Sequence, residues 1–218
     1  MKRPLIIDIE KGEISEDKLL AAKEAILSGK VIAYPTETFY ALGVNALDGS
    51  AIERLYRIKE RSKDRPIPVI IDSLSSLNRY VREIPKEGEI LIERFWPGPL
   101  TIIFYASSLI PPILVSKTQK IGIRISSNPI CKRLAELCKV PITATSANIS
   151  GERECRDARD VLEVFGDRVD LIIRGERATV LRPSTIIDIT VSPPKILREG
   201  MIERYRIQDA IGIRDPSI

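Results

Sequence analysis

The 218-residue sequence predicts one α/β domain, with helices packed around a twisted mixed sheet. Three observations lead there. Short Val- and Ile-rich runs alternate with amphipathic stretches, so strand and helix periods interleave along the whole chain. Hairpin-like and crossover connections are mixed, which argues against a purely parallel sheet. No repeat, low-complexity segment or linker-like stretch divides the chain, and 44% apolar residues interleave with 29% charged ones. We place the domain at residues 1–204 and a short C-terminal tail, with one helical turn, at 205–218.

The elements follow in order. Residues 5–9 read as a strand. Ser15 is placed as the N-cap of a helix running to Leu27, with Leu19, Ala22, Ile26 and Leu27 on its apolar face and Gly29 as its stop. Residues 31–34 form a strand that ends at Pro35. A helix at 50–58 turns Ile52, Leu55, Tyr56 and Ile58 inward, and residues 67–71 form an apolar strand. Helices are expected at 75–81 and 86–95, the second broken by Trp96-Pro97-Gly98-Pro99. Strands at 100–105 and 120–125 precede a helix at 129–139 with Ile130, Leu134 and Leu137 inward. A short strand at 142–145 leads into the polar run Ser146-Ala147-Asn148-Ile149-Ser150-Gly151. A helix at 158–165 and strands at 169–173, 184–190 and 195–198 complete the core.

Composition excludes several chemistries. There is no histidine, so no histidine base, triad or metal ligand is available. Cys131, Cys138 and Cys155 are too few and too scattered for a disulfide framework or a usual zinc site. The first two share a helix face as small buried side chains. No apolar run is long enough to span a bilayer. The N-terminal apolar stretch is cut at Asp8, too short for a signal peptide, so a cytoplasmic location is expected.

Four segments at strand ends carry the candidate chemistry, where open α/β sheets place ligands. Thr36-Glu37-Thr38, after Pro35, presents two hydroxyls and a carboxylate; it suits a small amino acid or an ordinary capped turn. Residues 56–65 hold five cations and two anions. Lys59, Arg61 and Lys63 in this stretch can meet a polyphosphate, or stand as a solvated helix end. The run from Thr143 to Gly151 offers hydroxyls and backbone amides that can cradle an anion. Arg124 interrupts an apolar strand and Arg198 ends one. A buried arginine needs a partner: Asp188 or another carboxylate, or a substrate carboxylate or phosphate.

Taken together and in this order, these segments resemble the YrdC/Sua5 family over residues 15–203. Lys59-x-Arg61 with Ser146-x-Asn148 is similar to the family's split Lys-x-Arg…Ser-x-Asn signature. Residues 35–43 (Pro-Thr-Glu-Thr-x-Tyr-x-Leu-Gly), 96–101 (Trp-Pro-Gly-Pro-Leu-Thr), 184–188 (Ser-Thr-Ile-Ile-Asp) and 197–200 (Leu-Arg-Glu-Gly) are similar to further family blocks. The resemblance implies a YrdC-like α/β domain with a concave basic cavity. It also implies a nucleotidyltransferase: L-threonine, bicarbonate and ATP would give threonylcarbamoyl-AMP and pyrophosphate, and a downstream threonylcarbamoyl transferase would carry the group to tRNA.

By position, the resemblance puts Lys59, Arg61, Lys63, Ser146, Asn148, Ser150 and Arg198 on ATP, with Lys59, Arg61, Ser146 and Asn148 as the catalytic set. Thr36, Tyr40, Arg124 and Ser184 would hold threonine, Arg124 on its carboxylate, and Mg2+ would accompany ATP. Such a reaction runs by positioning and charge neutralisation. Three positions depart from the family pattern: Ala41 for glycine, Ser62 for proline, and Ile70 where many members have a histidine near the amino-acid site. The chain ends soon after Arg198, which fits the single-domain form. Two rivals stand beside this reading. One is a non-catalytic module gripping double-stranded RNA or tRNA, favoured by the basic stretch and opposed by the 5% aromatic content. The other keeps the fold and makes a carbamoyl adenylate from carbamoyl phosphate, a role found in longer chains with zinc-finger segments.

Overall fold

Mixed pairing is present, divided between two sheets. The computed structural model describes residues 3–9, 14–179 and 182–213. Of the expected tail, residues 214–218 lie outside the described residues, as do Met1 and Lys2. In chain order the elements are β1 (Leu5–Asp8), α1 (Glu16–Leu27), β2 (Ile32–Tyr34), β3 (Ala41–Gly43), α2 (Gly49–Ile58), β4 (Val69–Ile70), α3 (Leu74–Tyr80), α4 (Lys86–Phe95) and β5 (Leu100–Tyr105). Then come α5 (Pro112–Val115), β6 (Lys120–Arg124), α6 (Pro129–Cys138), β7 (Ile142–Thr143), β8 (Thr145–Ser146), α7 (Ala158–Phe165), β9 (Leu171–Arg174), β10 (Thr185–Asp188), β11 (Lys195–Arg198) and α8 (Arg204–Ile211).

Among the described residues, one sheet has five strands in the order β1-β9-β2-β3-β8 and the other six, β11-β10-β5-β6-β4-β7. The first is parallel through β1, β9 and β2 and antiparallel beyond. The second alternates parallel and antiparallel pairs. The strand expected at 142–145 is two strands in two sheets. Its break is at Ala144, whose N–H turns aside to donate to Pro68 O at 2.8 Å. Thr143 joins the sheets at this point. Its N–H donates to Val44 O at 3.0 Å, its Oγ1 accepts from Val44 N at 3.0 Å, and its carbonyl accepts from the Tyr34 hydroxyl at 2.8 Å.

Helix starts follow local chemistry where a side chain can reach the orphan amides. Asp48, Asn128 and Asp157 each accept two N–H groups at the starts of α2, α6 and α7. Ser15 occupies the N-cap position of α1, but its side chain makes no capping bond. Leu27 faces outward, 46% exposed, and Ala25 takes the inward place instead. Gly29, at φ +73°, ends that helix as expected. The apolar faces of α1 and α6 close over β2 and β9 through Leu19, Ile26, Leu134 and Ile173. A larger cluster joins residues of α2, α4 and α7 to strand residues that include Ala33, Leu42, Ile102, Ile123 and Ile172. At the C-terminus, α8 is longer than the single turn expected: it lies against α4, burying Ile207 fully.

Gly200, in the Leu-Arg-Glu-Gly block, shows why that block takes glycine. Its N–H donates to Thr185 Oγ1 at 2.9 Å, and a Cβ here would lie 2.1 Å from Pro183 O and 2.7 Å from Thr185 N. Backbone meets backbone, so no side chain can move aside. Gly200→Ala is expected to lower stability by roughly 1–3 kcal/mol, the usual cost of overpacking. A urea-denaturation midpoint equal to wild type would refute it.

Candidate functional site

The end of α2 is where the basic stretch acquires its geometry. Glu60 takes the left-handed conformation (φ 52°), its N–H donates to Arg57 O, and Arg61 N–H donates to Tyr56 O. These two bonds make a Schellman turn, normally built on glycine. Lys59 is thereby sent inward, 1% exposed, while Arg61 reaches a cavity.

The Lys59 ammonium donates to Ser146 O at 2.5 Å, Asn148 O at 2.7 Å and Asn148 Oδ1 at 3.0 Å. All three of its hydrogens are therefore matched by acceptors of the 146–148 loop. In return Ser150 N–H donates to Lys59 O at 3.0 Å. Burial first, and the charge of Arg61 second, push the Lys59 pKa down to about 7. Lys59 is not among the residues that line the cavity. Its ammonium holds the loop.

The cavity, about 160 Å³, opens between the two sheets. Arg124 from β6, Thr101 from β5 and Arg198 from β11 line it on one side, Ala41 from β3 and Ser146 from β8 on the other. Ligand pockets for drug-sized molecules run to roughly 300–1,000 Å³, so the enclosed part suits an amino acid and a nucleotide would extend over the rim. Ser184 Oγ lies 3.1 Å from Thr101 Oγ1 and accepts from Arg198 Nη2 at 3.1 Å. Arg198 also donates twice to Ser184 O. Arg61 closes its own loop by donating to Arg65 O and Pro66 O, both at 3.0 Å. Desolvation, the largest cause for each, lowers the pKa of Arg61 and of Arg198, yet both remain charged at neutral pH.

Arg124 is 5% exposed. Its partner is not Asp188, which pairs with Lys120 at 2.9 Å. Instead Arg124 Nη1 lies 3.2 Å from Glu37 Oε1. That contact is an ion pair without hydrogen-bond alignment, since Glu37 Oε1 is buried with no hydrogen-bond partner. Among the described residues the Arg124 guanidinium makes no hydrogen bond at all. Its donors are unspent where it meets the cavity.

Of the residues singled out from sequence, Thr36, Tyr40, Arg61, Arg124, Ser146, Ser184 and Arg198 line this one cavity. Thr36 Oγ1 is occupied within its turn, donating to Phe39 O at 2.7 Å and accepting from Thr38 N–H at 3.1 Å. The Tyr40 hydroxyl accepts from Gly175 N–H at 2.9 Å, and burial pushes its pKa up to about 12. Asn148 stays behind the wall, accepting from Ser146 Oγ at 2.8 Å and donating to Glu152 O at 2.7 Å. Lys63 pairs with Glu53 at 2.6 Å on the surface, away from the cavity. Ser150 Oγ is buried without a partner and also lies outside the lining.

Within the run from Thr143 to Gly151, the N–H groups of Ala147, Asn148 and Ser150 are bonded within the protein, and Ser146 lines the cavity. Ile70 is fully buried in the smaller core, and its neighbour Val69 faces the cavity. Sequence reasoning missed Glu154 and Thr101 in the lining; Glu37, singled out with Thr36 and Thr38, lies behind it beside Arg124. Thr101 and Glu37 lay within recognised blocks; Glu154 carried no signal.

A family model for Sua5, yciO and yrdC, described as telomere recombination, matches residues 24–200. The chain is 38% identical over 208 residues to threonylcarbamoyl-AMP synthase of Pyrococcus abyssi, covering 95% of this chain and 61% of that protein. It is 34% identical over 179 residues to the synthase of that name in Vibrio vulnificus, covering 81% of this chain and 95% of that one. Among solved structures it is similar to P. abyssi Sua5 complexed with L-threonine, at a TM-score of 0.92 and 38% identity over 95% of this chain and 61% of that one. The chain thus spans about three-fifths of the P. abyssi protein's length.

Two substitutions test the local geometry. Lys59→Met strands buried loop acceptors and is expected to lower stability by roughly 1–3 kcal/mol, read from chemical denaturation. A variant as stable as wild type would show that the ammonium does not hold the loop. Glu60→Gly relieves the left-handed strain and is expected to raise stability by about 1 kcal/mol; a loss of stability would contradict the Schellman turn.

Proposed function

Since the chain belongs to the Sua5/YciO/YrdC family, we propose that it is a nucleotidyltransferase forming threonylcarbamoyl-AMP from L-threonine, bicarbonate and ATP. One observation carries the reading. A buried arginine whose charge is balanced, but whose hydrogen bonds are unspent, faces an amino-acid-sized cavity beside a row of hydroxyls. A guanidinium in that condition suits a carboxylate, which it can meet with two parallel N–H bonds. Naming of the P. abyssi relative as threonylcarbamoyl-AMP synthase, and its structure with L-threonine, supports the same choice.

In this reading Arg124 takes the threonine carboxylate, with Ser184, Thr36 and Tyr40 shaping the place beside it. The threonine amine joins the carbon of bicarbonate with loss of water, giving a carbamate. A carbamate oxygen then attacks the α-phosphorus of ATP, the bond to the bridging oxygen breaks, and pyrophosphate leaves. Arg61 and Arg198 at the rim balance the phosphate charge. Ser146 offers its hydroxyl, while Lys59 and Asn148 keep it in place. Among the described residues no group of three or more acidic, cysteine or histidine side chains converges to hold a metal. Mg2+ would enter with ATP, held in part by the phosphates themselves.

The product would pass to a threonylcarbamoyl transferase acting on tRNA, and a cytoplasmic location goes with that reading. No described helix is long and apolar enough to cross a membrane. The test is mass spectrometry of protein mixed with ATP, bicarbonate and each amino acid in turn. Threonylcarbamoyl-AMP formed only with threonine, together with pyrophosphate, supports the proposal. RNA binding without any adenylate would favour the non-catalytic reading. Arg124→Lys is expected to weaken threonine binding about tenfold, the loss of one bidentate contact, and to leave ATP affinity within about twofold. Calorimetric titration checks both; equal loss of the two ligands would remove Arg124 from the amino-acid site.

A further inference from the structure

Glu37 lies behind Arg124 and is not among the residues that line the cavity. Its two oxygens are used differently. Oε2 accepts the hydroxyl hydrogen of Ser126. Ser126 Oγ in turn accepts from Asn128 N–H at 3.1 Å, and Asn128 Oδ1 caps α6 through Ile130 and Cys131 N–H. The carboxylate is therefore anchored to the start of a helix. Oε1, by contrast, is buried, lies 3.2 Å from Arg124 Nη1 and accepts no hydrogen bond.

Charge and hydrogen bonding are separated in this pair. Glu37 neutralises a cation that could not otherwise sit in an apolar strand. It does so without accepting any of the aligned N–H bonds that a ligand would need. A long, rotatable side chain with a fixed anion behind it loses little entropy when its front meets a carboxylate.

We propose that Glu37 is the positioning residue of the amino-acid site, holding the Arg124 guanidinium turned toward the cavity so that its donors are ready for a substrate carboxylate. Ser126 is the support that keeps Glu37 in register. The inference rests on the reading that Arg124 binds the threonine carboxylate.

The test is calorimetric titration of the purified protein with L-threonine and, separately, with a non-hydrolysable ATP analogue. Glu37→Gln keeps the size of the side chain and removes its charge. It is expected to weaken threonine about tenfold and to change ATP-analogue affinity by less than about twofold. In the Arg124→Lys background the same substitution should add nothing, because its effect passes through the guanidinium. Ser126→Ala should give a smaller loss, about threefold, in the same direction. If Arg124→Lys leaves threonine binding intact, the parent reading fails. If Arg124→Lys weakens threonine but Glu37→Gln does not, or tightens it, the positioning role is overturned while the parent reading stands. Parallel loss of both ligands in Glu37→Gln would also overturn it, as a merely structural effect. Should Glu37→Gln fail to fold, Ser126→Ala carries the test: threonine affinity equal to wild type would refute the proposal.

Discussion

A lysine ammonium with 1% exposure has to find its hydrogen bonds in the protein, and Lys59 finds all of them in one loop. That constraint fixes much of what surrounds it. Ser146 and Asn148 are 87 and 89 residues away in sequence, yet their carbonyls converge on one nitrogen. The loop closes the circuit by donating Ser150 N–H back to Lys59 O. The end of α2 and the turn after β8 are therefore one rigid unit, and Arg61 leaves that unit already aimed at the cavity. Unpaired, the same ammonium would cost more than the loop's own bonds return.

This arrangement changes the meaning of the split Lys-x-Arg…Ser-x-Asn pattern. Read as sequence, four polar residues suggest four hands on one ligand. In the fold they divide into an outer pair and an inner pair. Arg61 and Ser146 face the cavity, while Lys59 and Asn148 brace them from behind. The left-handed Glu60 makes this division possible, since it reverses the chain between the inward lysine and the outward arginine.

Much of this was legible in the sequence, and the limits have physical causes. Helices α2, α4 and α7 were readable because apolar spacing acts within a few residues. Strand β3 and the break at Ala144 were not, because they are set by partners far along the chain: Ser146 opposite Ala41, and Pro68 O for the Ala144 amide. The site shows the same contrast. That Arg124 must have an anion followed from its place among isoleucines, but which carboxylate it met did not. Asp188 was the nearer guess; Glu37 has the role because the turn after Pro35 folds over β6. Nor could the pattern say which members of a cationic stretch turn inward, since Lys63 sits four positions past Lys59 and ends on the surface.

The seam at Thr143 has one more consequence. The two sheets meet where Val44 and Thr143 exchange bonds, and the cavity draws its walls from both. Arg124 stands on one sheet and Ser146 on the other. A molecule gripped by both would rivet the sheets together a second time, and in doing so become a temporary part of the architecture. Occupancy and rigidity are then the same variable: the protein would be stiffest when it is at work.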